Sequence, residues 1–289
     1  MDYSAMIQAR KSVRAFLDTP VPAALLEELG RYFNEECKKL VPSLDADLRI
    51  FGSDVKEPLE GTAGYSEYTV GAPCYFAILS DKQDNAVENA GFIAEDLILK
   101  LTEHTLDSCW LTFQDGEVVK KALGIQSDKV LCALVAFGHG RKTSKQIRLN
   151  IQNRSKVDVE RLRTYYAPKL GIEELVYVET WGRSEGLYDV IGDMNSTLWR
   201  AFYAASLSPS YLNRQPYRFV VIGGTVVLVS IEEAATDVIS QKLNLGIVML
   251  HFSGVVSKML YDVPWVMGEP EQKLELPVGC KVVSYCKVY

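Results

Sequence analysis

The order of predicted helices and strands repeats once along this 289-residue chain, and the repeat restricts the possible folds more than any other feature. Each half reads helix, strand, strand, helix, strand. This order predicts an α+β fold, with antiparallel sheets and helices on their faces. The halves share negligible sequence identity, so the repeat is one of architecture. Two such halves in one chain can pack about a pseudo-twofold axis, as the two subunits of a homodimer pack about a true twofold axis.

Hydrophobic periodicity gives the predicted elements. Those of the first half are a helix over 22–39, strands over 48–51 and 74–79, a long buried helix over 85–104 and a strand over 130–137. Those of the second half are a helix over 187–207, strands over 218–222 and 225–231, a helix over 237–259 and a strand over 281–288. Gly223-Gly224 predicts a tight hairpin. We place the halves at residues 1–145 and 146–289.

Composition narrows the function classes. The net charge of −6 argues against sequence-independent nucleic-acid binding, which needs a basic face. The longest apolar runs have the length of strands, so we expect no membrane span, and the first twenty residues predict no signal peptide. Six cysteines without a C-x-x-C pair fit a reduced, cytoplasmic protein.

A basic cluster lies near the start of the chain, at Arg10-Lys11-Ser12-Val13-Arg14. Arginine presents a planar fork of donors that matches phosphate oxygens, and Ser12 adds a hydroxyl. We expect a helix followed by a turn here, because Ser12 would point away from Arg10 and Arg14 on a continuous helix. The segment therefore suits a phosphate. The alternative is a solvated basic surface patch.

A polar turn with proline at both ends, Pro209–Pro216, separates a predicted apolar helix from an apolar strand. Ser210 and Asn213 have short side chains that hydrogen-bond nearby backbone or a ligand. Asn213 and Gln215 offer amides that both donate and accept. Such groups suit the edge of a heterocycle. The alternative is a loop that only connects the helix to the strand.

Both segments match signatures of a known family. Arg10-Lys11-Ser12-Val13-Arg14-Ala15-Phe16 is similar to the N-terminal Arg-Arg-Ser-x-Arg-x-Phe signature of the nitroreductase family. The stretch from Pro209 to Tyr217 resembles that family's Pro-Ser-x-x-Asn-x-Gln-Pro-Trp segment, with Tyr for Trp. Ala72-Pro73, Cys109–Leu111 and Gly138–Arg141 also resemble the family. Because each half carries only one of the two main signatures, the chain resembles a branch with two degenerate nitroreductase-like halves.

The resemblance implies an FMN site. By position, the phosphate would contact Arg10, Lys11, Ser12 and Arg14, with Arg141 as a further candidate. Residues of the second half would approach the isoalloxazine ring, namely Pro209, Ser210, Tyr211 and Asn213. Backbone around Leu111–Thr112 would face the reactive edge of the ring. Since each half lacks one signature, one FMN per chain is expected, buried between the halves.

The implied function is that of an FMN-dependent NAD(P)H oxidoreductase. NAD(P)H would give hydride to flavin N5 and leave, and a nitroaromatic, quinone or similar acceptor would then take the electrons, with ping-pong kinetics. No catalytic side chain is required, because positioning the reactants supplies much of the catalysis. The alternative is a flavin-binding protein of the same fold without significant turnover. Either could be a monomer or a homodimer.

Two other chemistries have weaker support in the sequence. Gly182–Gly186 matches the G-x-S-x-G elbow of serine hydrolases, with Ser184 as nucleophile and Asp237 and His251 in the required order. That fold needs several alternating β-α units, which the first half lacks, and His251 lies in an apolar helix. No metal site is predicted, because the three histidines match no ligand pattern.

Overall fold

The computed structural model describes residues 1–64, 70–141, 146–153, 156–162, 168–259 and 262–288, and only the backbone at 146–153, 156–162 and 258–259. Two compact units result. The first unit is Met1 with the described residues of Ala9–Ala167, and the second is Asp2–Gln8 with the described residues of Pro168–Tyr289. The predicted division of the halves at 145/146 stays a prediction.

The first unit is built on a four-stranded antiparallel sheet. Helix α1 (Tyr3–Ala9) comes first in the chain, and all of it but Ala9 belongs to the second unit. The elements of the first unit are α2 (Ala23–Glu35), β1 (Ala46–Phe51), α3 (Lys56–Leu59), β2 (Cys74–Ser80), α4 (Ala86–Glu103), β3 (Asp107–Leu111), α5 (Gly116–Ala122) and β4 (Val130–Gly138). The strand order is β1-β2-β4-β3. A separate antiparallel hairpin follows, formed by β5 (Gln146–Asn153) and β6 (Lys156–Leu162).

The centre of this unit is buried on all sides. All seven residues of β2 are buried, which explains why its sequence is a continuous apolar run and not an alternating one. Of the 18 residues of α4, 14 are buried, and they include Glu95 and Asp96. Asp96 accepts hydrogen bonds from Tyr32 Oη at 3.1 Å and from the Lys38 N–H at 3.0 Å, so it fastens α2 and the segment after it to α4.

The second unit contains a five-stranded sheet. Its elements are α6 (Ile172–Leu175), β7 (Val176–Val178), α7 (Leu187–Ile191), α8 (Thr197–Ser206), β8 (Tyr217–Ile222), β9 (Thr225–Ile231), α9 (Val238–Met259), β10 (Val266–Met267) and β11 (Cys280–Lys287). The strand order is β10-β11-β9-β8-β7. All neighbours are antiparallel except β7 and β8, which are parallel. Four aromatic rings lie in its core, those of Phe202, Phe219, Phe252 and Trp265, with centroids 5.0–6.4 Å apart.

The same topology occurs in both units. In each, two adjacent strands are followed by a long helix, then a strand at the sheet edge, then a strand inserted beside it. The order β1-β2-β4-β3 in the first unit thus corresponds to β8-β9-β11-β10 in the second. The predicted α+β fold, with antiparallel sheets in a duplicated arrangement, is confirmed. The edge strands β3 and β10 and the parallel strand β7 lie outside the repeated pattern read from the sequence.

One predicted helix is interrupted. The sequence pattern predicts a continuous helix over 187–207, but α7 ends at Ile191 and α8 begins at Thr197. Gly192 follows α7 with φ of +76° and ψ of −171°, a conformation that glycine adopts without strain. Ser196 then caps α8, since its Oγ accepts a hydrogen bond from the Trp199 N–H at 3.2 Å.

Within the described ranges, every helix is too short or too polar to cross a membrane. The longest, α9, is largely buried in the second unit and packs against α8. Helix α1 also packs on α9, where Tyr3 lies over Gly254. A Cβ atom added at Gly254 would come within 2.7 Å of Tyr3 Cδ1. Glycine at this position therefore allows the close approach of the two helices.

We predict opposite effects for two helical glycines. Gly30→Ala in α2 should stabilise the protein by about 0.5–1 kcal/mol, because the new methyl group meets nothing within 4 Å and alanine favours the helix. Gly254→Ala should instead destabilise it by about 1–2 kcal/mol, since overpacking against Tyr3 outweighs the helix preference. Urea unfolding of both variants measures the difference. Equal stabilisation by both would contradict the packing of α1 on α9.

Candidate functional site

The segment that carries the basic cluster is extended. Helix α1 ends at Ala9, and residues 10–17 then pair with other parts of the first unit. Ser12 forms a parallel bridge with Ser108 on β3, and Phe16 forms an antiparallel bridge with Gly140 after β4. The predicted helix followed by a turn is therefore wrong beyond Ala9. The backbone partners of the segment lie about a hundred residues away, and local sequence carries no signal for them.

This pairing gathers the predicted phosphate ligands of the first unit. The Val13 N–H donates to the Ser108 carbonyl at 2.9 Å, and the Arg141 N–H donates to the Ala15 carbonyl at 2.8 Å. Arg141 is therefore brought beside the segment that begins at Arg10. Lys11, Ser12 and Arg141 are exposed, whereas Arg10 and Arg14 are partly buried. The structure thus brings together four of the cations and the hydroxyl that the sequence singled out.

Two glycines permit the close contact after β4. A Cβ atom at Gly140 would come within 2.4 Å of Asp107 Oδ2 and 3.0 Å of Val13 Cγ1. A Cβ atom at Gly138 would come within 2.3 Å of Pro73 Cγ. The Gly140 N–H donates to Asp107 Oδ2 at 3.1 Å, which holds the segment in place. Glycine at these positions is what lets the chain containing Arg141 lie against the basic segment.

A buried carboxylate lies behind the basic segment. Glu95 on α4 has no exposed side-chain surface, and its Oε1 lies 3.5 Å from Arg10 Nε. Its Oε2 accepts a hydrogen bond from Trp110 Nε1–H at 3.1 Å. Arg10 also donates from Nη1 to Ser12 Oγ at 3.3 Å. Sequence reasoning missed Glu95, although an acidic residue within a helix predicted to be buried signals a need for a countercharge.

Cys109 lies on β3 near the arginines. Burial raises the pKa of the Cys109 thiol, and the positive charges of Arg14 and Arg10 lower it only in part. Burial therefore disfavours the thiolate, which is the reactive form of a cysteine.

The backbone at Leu111–Thr112 lies at the end of the same strand, β3. The Thr112 carbonyl accepts from the Gly64 N–H at 2.7 Å, and Thr112 Oγ1 donates to the Gly64 carbonyl at 3.0 Å. Leu111 is paired with Leu134 of β4. Both residues therefore belong to the first unit, as the basic segment does, and the Thr112 carbonyl is already occupied by an internal donor.

The predicted ring contacts lie on one turn of the second unit, where the side chains of Ser210 and Asn213 make internal hydrogen bonds. Ser210 Oγ accepts from the Gln215 N–H at 2.9 Å. Asn213 Oδ1 accepts from Lys169 Nζ at 2.7 Å. The Tyr211 N–H donates to Asn244 Oδ1 at 3.0 Å. Pro209 is buried between α8 and this turn.

Gln215 fixes the turn to the segment that enters the second unit. Its Oε1 accepts from the Leu170 N–H at 2.9 Å and its Nε2 donates to the Ser206 carbonyl at 2.8 Å. Leu212, Asn213 and Gln215 all have positive φ, between +47° and +56°. Left-handed backbone at non-glycine residues is strained and is concentrated at functional sites in proteins. The turn is thus both internally bonded and strained.

The geometry does not support a serine hydrolase. Asp237 directly precedes α9, and His251 lies fourteen residues further along the same helix, about 21 Å away at 1.5 Å per residue. A catalytic triad requires these two side chains to be hydrogen-bonded. Asp237 instead accepts from Ser240, and the buried His251 contacts the Ala204 carbonyl through Nδ1 at 3.1 Å.

In the described part of the chain, no group of three or more His, Cys, Asp or Glu side chains is arranged to hold a metal ion. His104 contacts Glu28 at 3.0 Å, and His139 uses its backbone carbonyl to accept from the Leu17 N–H. Two separate candidate features are present, the basic cluster in the first unit and the strained turn in the second.

Comparison with solved structures shows the fold. A structure from Thermotoga maritima described as a "putative nitroreductase" has a TM-score of 0.59 and 18% identity, with 100% of this chain and 94% of that chain covered. An "FMN-dependent Nitroreductase" of Clostridium difficile has a TM-score of 0.40 and 17% identity, covering 48% of this chain and 87% of its own. A "Putative NADH dehydrogenase/NAD(P)H nitroreductase" of Bacteroides thetaiotaomicron has a TM-score of 0.42 and 14% identity, covering 49% and 88%.

Comparison with curated proteins finds no match. A family model described as "Putative TM nitroreductase" matches residues 3–255, which include both the basic cluster and the strained turn. The resemblance noted in the sequence is confirmed by this match. The membership supports an oxidoreductase of the nitroreductase type. The chain belongs to this nitroreductase-like family.

Proposed function

We propose that the chain is an FMN-dependent NAD(P)H oxidoreductase of the nitroreductase type. The observation that carries the proposal is the gathering of Arg10, Lys11, Ser12, Arg14 and Arg141 in the first unit of a chain of this family. A phosphate monoester carries a charge of about −1.5 to −2 at neutral pH. Guanidinium and ammonium groups together with a hydroxyl form the donor set that such an anion needs.

The available donors fit a phosphate. Lys11, Ser12 and Arg141 are exposed, so a ligand can reach them. Ser12 Oγ accepts from Arg10 Nη1, which leaves the hydroxyl hydrogen free to be donated to a phosphate oxygen. Glu95 compensates the charge of Arg10 from the interior, while Lys11 and Arg141 form no ion pair with a carboxylate in the part of the chain that the structure describes. The cluster thus keeps a net positive charge toward solvent.

When bound, FMN would supply the redox chemistry, accepting hydride at N5 from NAD(P)H and passing electrons to a nitroaromatic, quinone or similar acceptor. The chain's own residues would hold and orient the cofactor. Lys11, Ser12 and the arginines would bind the phosphate. No acid or base from a side chain is required, because orienting two reactants can itself supply much of the rate enhancement.

Ring contacts from Pro209, Ser210, Tyr211 and Asn213 stay a prediction, as do the contact from backbone near Leu111 and Thr112 and the binding of one FMN per chain. The strained backbone of the turn favours a functional role for it. Titration of the purified protein with FMN should reach its endpoint at one flavin per chain. An endpoint at two flavins per chain would contradict the prediction of one FMN, which is drawn from the loss of one signature in each half.

We expect the purified protein to be yellow and to bleach under anaerobic conditions with NADH or NADPH. A nitroaromatic or quinone should then restore the colour, and initial-rate plots at several acceptor concentrations should be parallel, as ping-pong kinetics require. Flavin that binds but resists both nicotinamides would point to a binding protein of the same fold. Colourless protein that takes up no added FMN would contradict the proposal.

The phosphate contacts can be tested separately. Arg10→Ala combined with Arg14→Ala should weaken FMN binding by about 3–6 kcal/mol, because each charge-assisted hydrogen bond contributes about 1.5–3 kcal/mol. Fluorescence titration of FMN measures this loss. Arg31→Ala, at an exposed position on α2, is the control for charge alone and should leave the affinity unchanged.

Because Arg10→Ala also removes the countercharge of the buried Glu95, a second variant is needed that leaves the interior intact. Lys11→Ala, at an exposed position, should weaken FMN binding about tenfold without changing the melting temperature. Unchanged affinity in both the double arginine variant and Lys11→Ala would mean that the phosphate binds elsewhere.

A further inference from the structure

Glu95 links the interior of the first unit to the basic segment. Its side chain is fully buried, and a buried carboxylate without a nearby countercharge is strongly unfavourable. Arg10 provides that charge, with Nε at 3.5 Å from Glu95 Oε1, and its side chain is only 9% exposed. The ion pair with Glu95 therefore constrains where the guanidinium of Arg10 lies.

The position of Arg10 in turn affects Ser12. Arg10 Nη1 donates to Ser12 Oγ at 3.3 Å, along an extended segment in which residues i and i+2 share a side. A hydroxyl that accepts from a guanidinium must use its own hydrogen for another partner. Ser12 is exposed, so that hydrogen can be donated to an anion arriving from solvent.

We propose that Glu95 is a positioning residue for the phosphate site, acting through Arg10 to present the Ser12 hydroxyl as a donor. The inference rests on the proposed binding of FMN by this segment. It predicts that Glu95 contributes to the part of the flavin affinity that depends on the phosphate. A carboxylate that only stabilised the fold would affect flavins with and without a phosphate equally.

The chain contains a matched control in the next residue. Asp96 is also fully buried on α4, and its carboxylate accepts from Tyr32 Oη and the Lys38 N–H. These contacts lead to α2 and the segment after it, and not to Arg10. The variant that removes the charge of Asp96 therefore loses a buried carboxylate, as the Glu95 variant does, but keeps the contacts of Arg10.

The experiment compares the dissociation constants of FMN and of riboflavin, which lacks the phosphate, for each full-length variant. The readout is the ratio of the riboflavin constant to the FMN constant. Glu95→Gln and Ser12→Ala should each lower this ratio about tenfold, the size of one charge-assisted hydrogen bond. The double variant should lose little more than either alone, because both act on the same contact. Asp96→Asn should leave the ratio unchanged.

Arg10→Lys provides a second variant that keeps a positive charge near Glu95. A single ammonium group lacks the fork with which arginine reaches Glu95 and Ser12 at once, so the ratio should fall as in Glu95→Gln. A wild-type ratio in folded Glu95→Gln or in Arg10→Lys, or an equal fall in Asp96→Asn, would overturn the inference. A wild-type protein that binds both flavins equally would instead contradict the phosphate site itself.

Discussion

Two neighbouring carboxylates in the middle of α4 constrain the first unit. Glu95 and Asp96 are both fully buried, and each must be matched by donors from another part of the chain. Asp96 is matched by Tyr32 and Lys38, which holds α2 and the following segment against α4. Glu95 is matched by Arg10 and Trp110, which connects α4 to the basic segment and to β3. The interior charge of one helix thus helps to place the candidate site.

The two units share a topology but differ in which signature segment they carry. Both units carry the same order of strands and long helix, yet the basic segment occurs in the first and the strained turn in the second. In the second unit the polar side chains of the turn are hydrogen-bonded to neighbouring backbone and to Lys169. A duplicated chain can lose one motif from each copy while its sheets, which depend on long apolar strands and helices, persist.

Much of the fold could be predicted from the sequence, because it depends on long periodic segments. The predicted strand over 225–231 coincides with β9. The helix predicted over 85–104 differs from α4 by one residue at each end, and the helix predicted over 237–259 differs from α9 by one residue at its start. The edge strands β3 and β10 were missed, since short strands carry little periodicity. The break after Ile191 was missed although Gly192 and Ser196 are ordinary signals for the end and the start of a helix.

The site was less predictable for a physical reason. The residue types of the basic cluster could be read directly, but the extended conformation of residues 10–17 comes from pairing with Ser108 and Gly140, which are distant in sequence. Glu95 was missed because its role depends on which cation faces it in the folded unit. Internal hydrogen bonds of the Pro209–Pro216 turn depend likewise on Lys169 and Leu170, which precede it by about forty residues.

The most direct test of the central claim is a crystal structure of the protein with FMN bound. The account predicts a phosphate oxygen within about 2.5–3.0 Å of Ser12 Oγ, with Lys11 and Arg141 also directed at the phosphate. A flavin whose phosphate lies away from residues 10–14 would contradict it.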